Sequence, residues 1–356
     1  MIRQTATDDK QALERALRRH GIEGEAAFRL LAAHYLNPAA GRLAEPQAAL
    51  LKRSKQSLAL LRREAGLARL LDAVVGADPR GERLADWYLH FVGRRFREGS
   101  GKFFTPRPVA ESMACLLPRV DRAVIMDPTC GGGGFLLAAS ERWGQASCHL
   151  IGNEIEPSLV ALTAISLRLA APAHHRRTLI KANLYEFAAP LRRWRGRVDY
   201  ILANPPFSLP LESVPSRSRL FALGYRTSDA VFLDVCCDLL RPGGRLVCLL
   251  PHSLIVNAEF HRLRAAVEER WHLRGVITLP EGIFHMAART TTRADILILD
   301  KRDPQAERQS RQTVFASAPT AGVQLNRRMK DSSNQLAEIV ARKDVREALG
   351  LNEGLG

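Results

Sequence analysis

The sequence predicts an α/β protein built on a seven-stranded, mainly parallel sheet, with a helical domain in front of it. Three observations carry this. Between residues 105 and 300, short apolar runs rich in β-branched residues alternate with helical stretches, the pattern of strands joined by crossover helices and covered on both faces. The first of these runs passes into a helix through four consecutive glycines, Gly131 to Gly134. Residues 1–99 show helical spacing and no strand-like run.

The helical domain is expected over 1–99. Thr7 can cap a first helix with Asp8 and Asp9 in its opening turn, Leu13 and Leu17 on one face and Gly21 at its end. Further helices are expected at 24–38, 45–66, 67–75 and 82–97, with a basic surface and nothing catalytic. Gly99-Ser100-Gly101-Lys102 reads as a flexible joint. The catalytic domain follows over 100–300, with strands at 123–127, 148–153, 178–181, 198–203, 244–250, 274–279 and 294–300 and helices at 107–117, 134–143, 157–170, 229–240 and 258–270. Sheets of this kind bind ligands beyond the carboxyl ends of their strands. Residues 301–356 are polar and charged and read as a tail, in which Leu336, Ile339 and Val340 mark one helix that could dock a partner.

Composition narrows the class. Hydrophobic residues make up 46% and charged residues 25% of the 356 positions, as in ordinary globular proteins. No apolar run approaches the roughly 20 residues of a membrane span, and the N-terminus lacks a signal-peptide stretch, so a cytoplasmic protein without a membrane partner is expected. The six cysteines have no metal-ligand spacing, which points to buried, reduced thiols and away from zinc. A net charge of +15 suggests a polyanionic partner such as nucleic acid. The plain alternative is a composition rich in Ala, Arg and Leu throughout.

The most informative segment is Val198-Asp199-Tyr200-Ile201-Leu202-Ala203-Asn204-Pro205-Pro206-Phe207. Its apolar half reads as a buried strand, and the paired prolines stop it. The strand tip then presents an amide, unpaired carbonyls and an aromatic ring. The Asn204 amide oxygen and the Pro205 carbonyl can accept both protons of an exocyclic amine while Phe207 stacks on the heterocycle. Alone, the segment could equally be a turn after a strand.

Two segments upstream strengthen the ligand reading. Asp127-Pro128-Thr129-Cys130-Gly131-Gly132-Gly133-Gly134 lets the backbone pass close beneath a bound molecule. No Gly-Lys-Ser/Thr follows, which argues against a P-loop. Glu154, twenty residues beyond Gly134 at the end of the second strand, is placed to accept hydrogen bonds from two ribose hydroxyls. An acid at the start of the loop suits a ligand carrying an ammonium group better than a pyrophosphate, and S-adenosylmethionine is such a ligand.

With these motifs in order, the chain resembles DNA adenine-N6 methyltransferases, specifically the modification subunit of type I restriction-modification systems. Phe104-Thr105-Pro106 is similar to the family's motif before the first strand, which touches the cofactor's methionine part. Asp127 to Phe135, with Thr129, Gly131 and Gly133, resembles its glycine loop, and Gly152-Asn153-Glu154-Ile155 its ribose-binding segment. Asn183 stands where such enzymes place an Asp or Asn near the cofactor's adenine, and Asn204-Pro205-Pro206-Phe207 matches the catalytic tetrapeptide. Asp229-Ala230-Val231-Phe232, Pro242-Gly243-Gly244-Arg245 and Leu279-Pro280-Glu281-Gly282-Ile283-Phe284 match later segments.

The resemblance covers about residues 90–300. It implies a Rossmann-like methyltransferase fold, S-adenosylmethionine as cofactor and double-stranded DNA as substrate. It also implies a separate DNA-specificity subunit, with a restriction subunit as a further expected partner, because nothing in the sequence resembles a large target-recognition domain.

The implied reaction turns an adenine out of the duplex and needs neither a metal nor a general base before attack. Some residues have plainer readings. Phe104 and Thr105 could cap the helix starting near Pro106, Asn183 could be a turn residue and Phe284 part of the core. His174 and His175 read as solvated. Residues 168–197 hold eight Arg or Lys against one acid, either a phosphate-binding or a solvated face. Arg217, Arg219 and Arg226, nearer the tetrapeptide, are the expected phosphate contacts. Two other readings stand beside the main one: an RNA guanine-N2 or protein glutamine methyltransferase, and a non-catalytic DNA-binding subunit.

Overall fold

The computed structural model describes residues 2–36, 47, 52–99, 104–214, 218–283, 293–305, 312–323 and 333–351, with the side chains of 2–8 and 94–99 outside that description. The chain divides into two compact units, Met1–Ser100 with Glu156–Ala171, and Gly101–Ile155 with Pro172–Gly356.

The first unit is helical. Its described helices are Ile2–Arg18, Gly24–Tyr35, Lys55–Leu61, Ala65–Gly76, Leu84–Gly99 and Pro157–Ala170. The first begins five residues before Thr7, so Thr7 is not its cap. The single helix expected over 45–66 is interrupted where described: it turns at Arg62 and Arg63, and Gly66 lies inside the next helix. Gly66 falls in that helix's opening turn, where the cost of a glycine is small because few backbone bonds depend on it. Buried Leu30, Leu31, Leu71, Trp87 and Tyr88 form the unit's interior. The Phe28 and Tyr88 rings meet edge to face at 5.0 Å. The helix Pro157–Ala170 belongs here too: Gln47 Nε2 donates to its Ala164 carbonyl at 2.9 Å, and the Tyr88 and Ser158 hydroxyls lie 3.1 Å apart.

The second unit contains the sheet. Its strands are β1 Ala123–Asp127, β2 Cys148–Glu154, β3 Arg176–Lys181, β4 Val198–Ala203, β5 Leu240–Pro251, β6 Trp271–Thr278, β7 Ala294–Lys301 and β8 Val314–Ser317. Their order is β3-β2-β1-β4-β5-β7-β6-β8, and only β7 runs antiparallel to its neighbours. All seven expected strands are present, and β8 adds an eighth. It pairs in parallel with β6, Val276 opposite Phe315, so part of the segment read as a tail belongs to the sheet.

Alternation along the strands sends side chains to opposite faces. Met126, Ile151 and Ile201 enter a core with Phe232 and Leu233 of the helix Ser228–Leu239, together with Trp271 and Leu299. Ile125, Leu150 and Tyr200 are also buried, and Tyr200 meets the Trp143 ring, at the end of the helix Gly134–Trp143, at 5.9 Å. The helices Gln335–Ala341 and Lys343–Ala348 are fixed partly through buried Arg274, which donates to the Ala348 carbonyl. Among the described residues all six cysteines are free thiols, five of them buried. No described helix is long and apolar enough to cross a membrane.

Candidate active site

Register brings the candidate residues together. Asp127 closes β1 opposite Gly152 of β2. Glu154 closes β2 opposite Lys181. Ala203 closes β4 opposite Cys248 of β5, and Asn204 follows it. Three adjacent strands therefore deliver Asp127, Glu154 and Asn204 to the same edge of the sheet.

The loop after β1 is shaped by backbone that suits glycine. Gly131 and Gly133 have φ of +50° and +83°, and a Cβ on Gly131 would stand 3.5 Å from the Phe104 ring. A Cβ on Gly134 would meet nothing within 4 Å, so the loop opens onto free space. Glu154 spans its floor: Oε2 accepts the Gly131 N–H at 3.1 Å and Oε1 the Ile155 N–H at 2.8 Å. Ile155 itself is half exposed.

Asp127 is almost fully buried, and Oδ1 accepts the Thr129 N–H at 3.0 Å. Burial pushes its carboxyl well above the usual range; the Thr129 bond opposes this and the nearby Glu154 carboxylate adds to it. An acid held in this way gains from a cation brought beside it.

The tetrapeptide is tied to the segments preceding it. Asn204 Nδ2 donates to Thr105 Oγ1 at 3.2 Å, and Thr129 Oγ1 donates to the Asn204 carbonyl at 3.4 Å. Pro106 stands at the N-cap of the helix Arg107–Ala114, the capping role that the plainer reading gave its two predecessors. Asn183 follows β3 as the turn reading expected: Oδ1 accepts the Tyr185 N–H and Nδ2 donates to Glu186, both at 3.0 Å.

Some residues have roles that the sequence did not reveal. Asn153 Nδ2 bridges the carbonyls of Pro128 and Ala182 at 3.0 and 3.2 Å, joining the loops after β1 and β3. Its place in Gly152-Asn153-Glu154 was visible, its two partners were not. His175 is buried, bonded to Ser140 and the Ala146 carbonyl, which corrects its reading as solvated. Burial first, then His174, holds its imidazole below the ordinary value.

Arg217 and Phe284 lie outside the described residues. Arg219 is exposed and ion-paired with Glu269, and Arg226 lies 5.0 Å over the Phe221 ring. Among the described residues no group of His, Cys, Asp and Glu could hold a metal ion.

Comparison with known proteins agrees with this architecture. The profile of the N-6 DNA methylase family matches residues 83–345, and the chain belongs to that family. The EcoEI type I restriction enzyme methylase subunit of Escherichia coli is 26% identical over 226 residues, which are 58% of this chain and 44% of that subunit. The match thus spans less than half of that relative's length. Among solved structures, a candidate class I S-adenosylmethionine-dependent methyltransferase from Listeria monocytogenes aligns over 97% of this chain and 99% of its own, with a TM-score of 0.65 at 18% identity. The type I restriction-modification methyltransferase subunit of Streptococcus thermophilus aligns over 81% of this chain and 62% of its own, with a TM-score of 0.58 at 23% identity. At these identities the structural likeness speaks for the fold.

Proposed function

We propose that the chain is an adenine-N6 DNA methyltransferase that uses S-adenosylmethionine and serves as the modification subunit of a restriction-modification system. The observation that carries this is the Asn204 amide at the tip of β4, its nitrogen turned toward Thr105 and its backbone held by Thr129.

The residues fit the cofactor. The glycine loop opens onto free space at Gly134, and two carboxylates, Asp127 and Glu154, stand at neighbouring strand ends. Asp127 would face the ammonium group and Glu154 the ribose hydroxyls. Phe104, Thr105, Pro106, Thr129, Gly131 and Gly133 would line the methionine side, with Ile155 and Asn183 toward the adenine. When bound, S-adenosylmethionine supplies a methyl group activated by a sulfonium sulfur.

The chain's own work is positioning. With its nitrogen committed to Thr105, the Asn204 amide offers its oxygen to one amine proton, and the Pro205 carbonyl offers itself to the other. Both acceptors favour a tetrahedral nitrogen whose lone pair points away from the ring. Phe207 stacks on the flipped base, worth roughly 1–3 kcal/mol. Arg217, Arg219 and Arg226 contact phosphates, which position the duplex without reading its sequence. A separate specificity subunit reads the sequence, docking on the N-terminal helices or the C-terminal helices.

Labelled cofactor supplied with DNA, RNA or protein, with and without the neighbouring gene products, tests this. Digestion of the DNA to nucleosides should place the label on adenine. Asn204→Ala should retain cofactor binding and lose transfer. Wild-type turnover in that variant, or label on another base, RNA or protein, sinks the reading.

A further inference from the structure

The loop that follows Asn204 is held by the first turn of a helix that begins more than 20 residues later. Ser228 and Asp229 open the helix Ser228–Leu239, and both side chains turn back to the loop. Ser228 Oγ donates to the Pro206 carbonyl at 2.6 Å and accepts the Leu209 N–H at 3.1 Å, while the Ser228 N–H donates to the Leu209 carbonyl at 2.8 Å. Asp229 Oδ2 accepts the Ser208 N–H at 3.1 Å, and Oδ1 accepts the Ala230 N–H at 3.0 Å. An isolated bridge between Pro210 and Thr227 continues the pairing outward.

Two further features give these bonds a purpose. Ser208 has φ of +53° without being glycine, a conformation that persists only where surrounding groups fix it. Ser228 and Asp229 are 0% and 2% exposed. A buried carboxyl group is costly unless donors satisfy it. Here the donors are the main-chain N–H groups of Ser208 and Ala230 and, at 3.5 Å, the Ser208 hydroxyl, so the group's solvation is itself the fixing of the loop.

We infer that Ser228 and Asp229 are positioning residues, which hold residues 205–209 in the shape that presents the Pro205 carbonyl and the Phe207 ring to the target base. This rests on the reading of Asn204 as the catalytic amide. It extends that reading from the strand tip to a second element of the fold.

Hydrogen exchange and kinetics on the full chain with its partner subunits test it. In Ser228→Ala and Asp229→Ala, exchange at the Ser208 and Leu209 amides should rise about tenfold or more, with β5 amides unchanged. The turnover number should fall about tenfold or more while the KM for S-adenosylmethionine stays within about twofold. Adding Ser208→Gly to Asp229→Ala should restore part of the turnover, because glycine adopts the positive φ without help.

Unchanged loop exchange in both variants overturns the inference, as does a loss of turnover that only tracks loss of folded protein and is not relieved by Ser208→Gly. The exchange arm decides the brace even if the wild-type chain transfers no methyl group, a result that would instead sink the assignment of the reaction.

Discussion

Thr105 and Asn204, ninety-nine positions apart in the chain, meet through a 3.2 Å hydrogen bond in which the amide donates and the hydroxyl accepts. In this arrangement the amide nitrogen faces the motif before β1, and the oxygen is the branch turned away from Thr105.

Thr105→Val keeps the shape of the side chain and removes the acceptor. A neutral hydrogen bond contributes about 0.5–1.5 kcal/mol, so transfer should slow by about 2- to 12-fold. Cofactor affinity, measured by calorimetry, should fall by less than transfer does, because valine keeps the bulk of the side chain that would line the methionine side. An equal loss in both quantities would mean that Thr105 acts through the cofactor alone and does not orient Asn204.

Asp127 sets function against stability. Its carboxyl takes up its proton more readily in the folded chain than in the unfolded one, where the ordinary value is 3.8. Stability therefore falls as pH rises from that value through the raised folded one. Asp127→Asn should melt higher than wild type at neutral pH without ligand. It should also bind S-adenosylmethionine about tenfold or more weakly, as expected if a charge-assisted bond is lost. Melting curves with and without the cofactor read both effects, and a variant that melts lower without ligand contradicts the argument.

His149 gives the opposite slope. Burial, then the neighbouring Arg176 and Arg193, lowers its imidazole from 6.5 to about 4. The unfolded chain binds this proton more readily, so its contribution is intact above pH 6.5 and lost as pH falls toward about 4. His149→Gln, which can still bond Thr178 Oγ1, should flatten the acid side of the stability profile in urea titrations across that window. An unchanged slope would assign the acid loss to His175 and other groups.

Gly152 has no room for a methyl group. A Cβ there would stand 2.8 Å from Leu179 Cδ2, 2.9 Å from Leu136 Cδ1 and 3.0 Å from Cys130 Sγ. Gly152→Ala should cost about 1–3 kcal/mol of unfolding free energy, the usual range for overpacking. A denaturation midpoint equal to wild type would show that the three side chains yield freely.

How much could be read in advance depended on how local each cause was. The helix Pro157–Ala170 and the strand Val198–Ala203 were legible to the residue, because a proline opens one and a proline pair follows the other. β8 was missed because Val314–Ser317 has only four residues with alternating exposure, in a polar region, and becomes a strand by pairing with β6. Asp127, Glu154 and Asn204 announced themselves by their spacing from strand ends. The brace at Ser228 did not: a serine beside Asp229 reads as a helix start, and its second use needs a loop about 20 residues away. His175 looked solvated for the same reason, since Ser140 and Ala146 come from a different segment.

The helical unit draws its members from two separate stretches of chain, because Pro157–Ala170 groups with the N-terminal helices while β2 and β3 on either side of it belong to the sheet. Grafting that unit onto another member of the family therefore takes two pieces of chain, not one: a chimera joined only near position 100 leaves Tyr88 and Gln47 facing a foreign helix in place of Ser158 and Ala164. Transplants should carry residues 156–171 along with the first hundred, and those that omit them should come out insoluble.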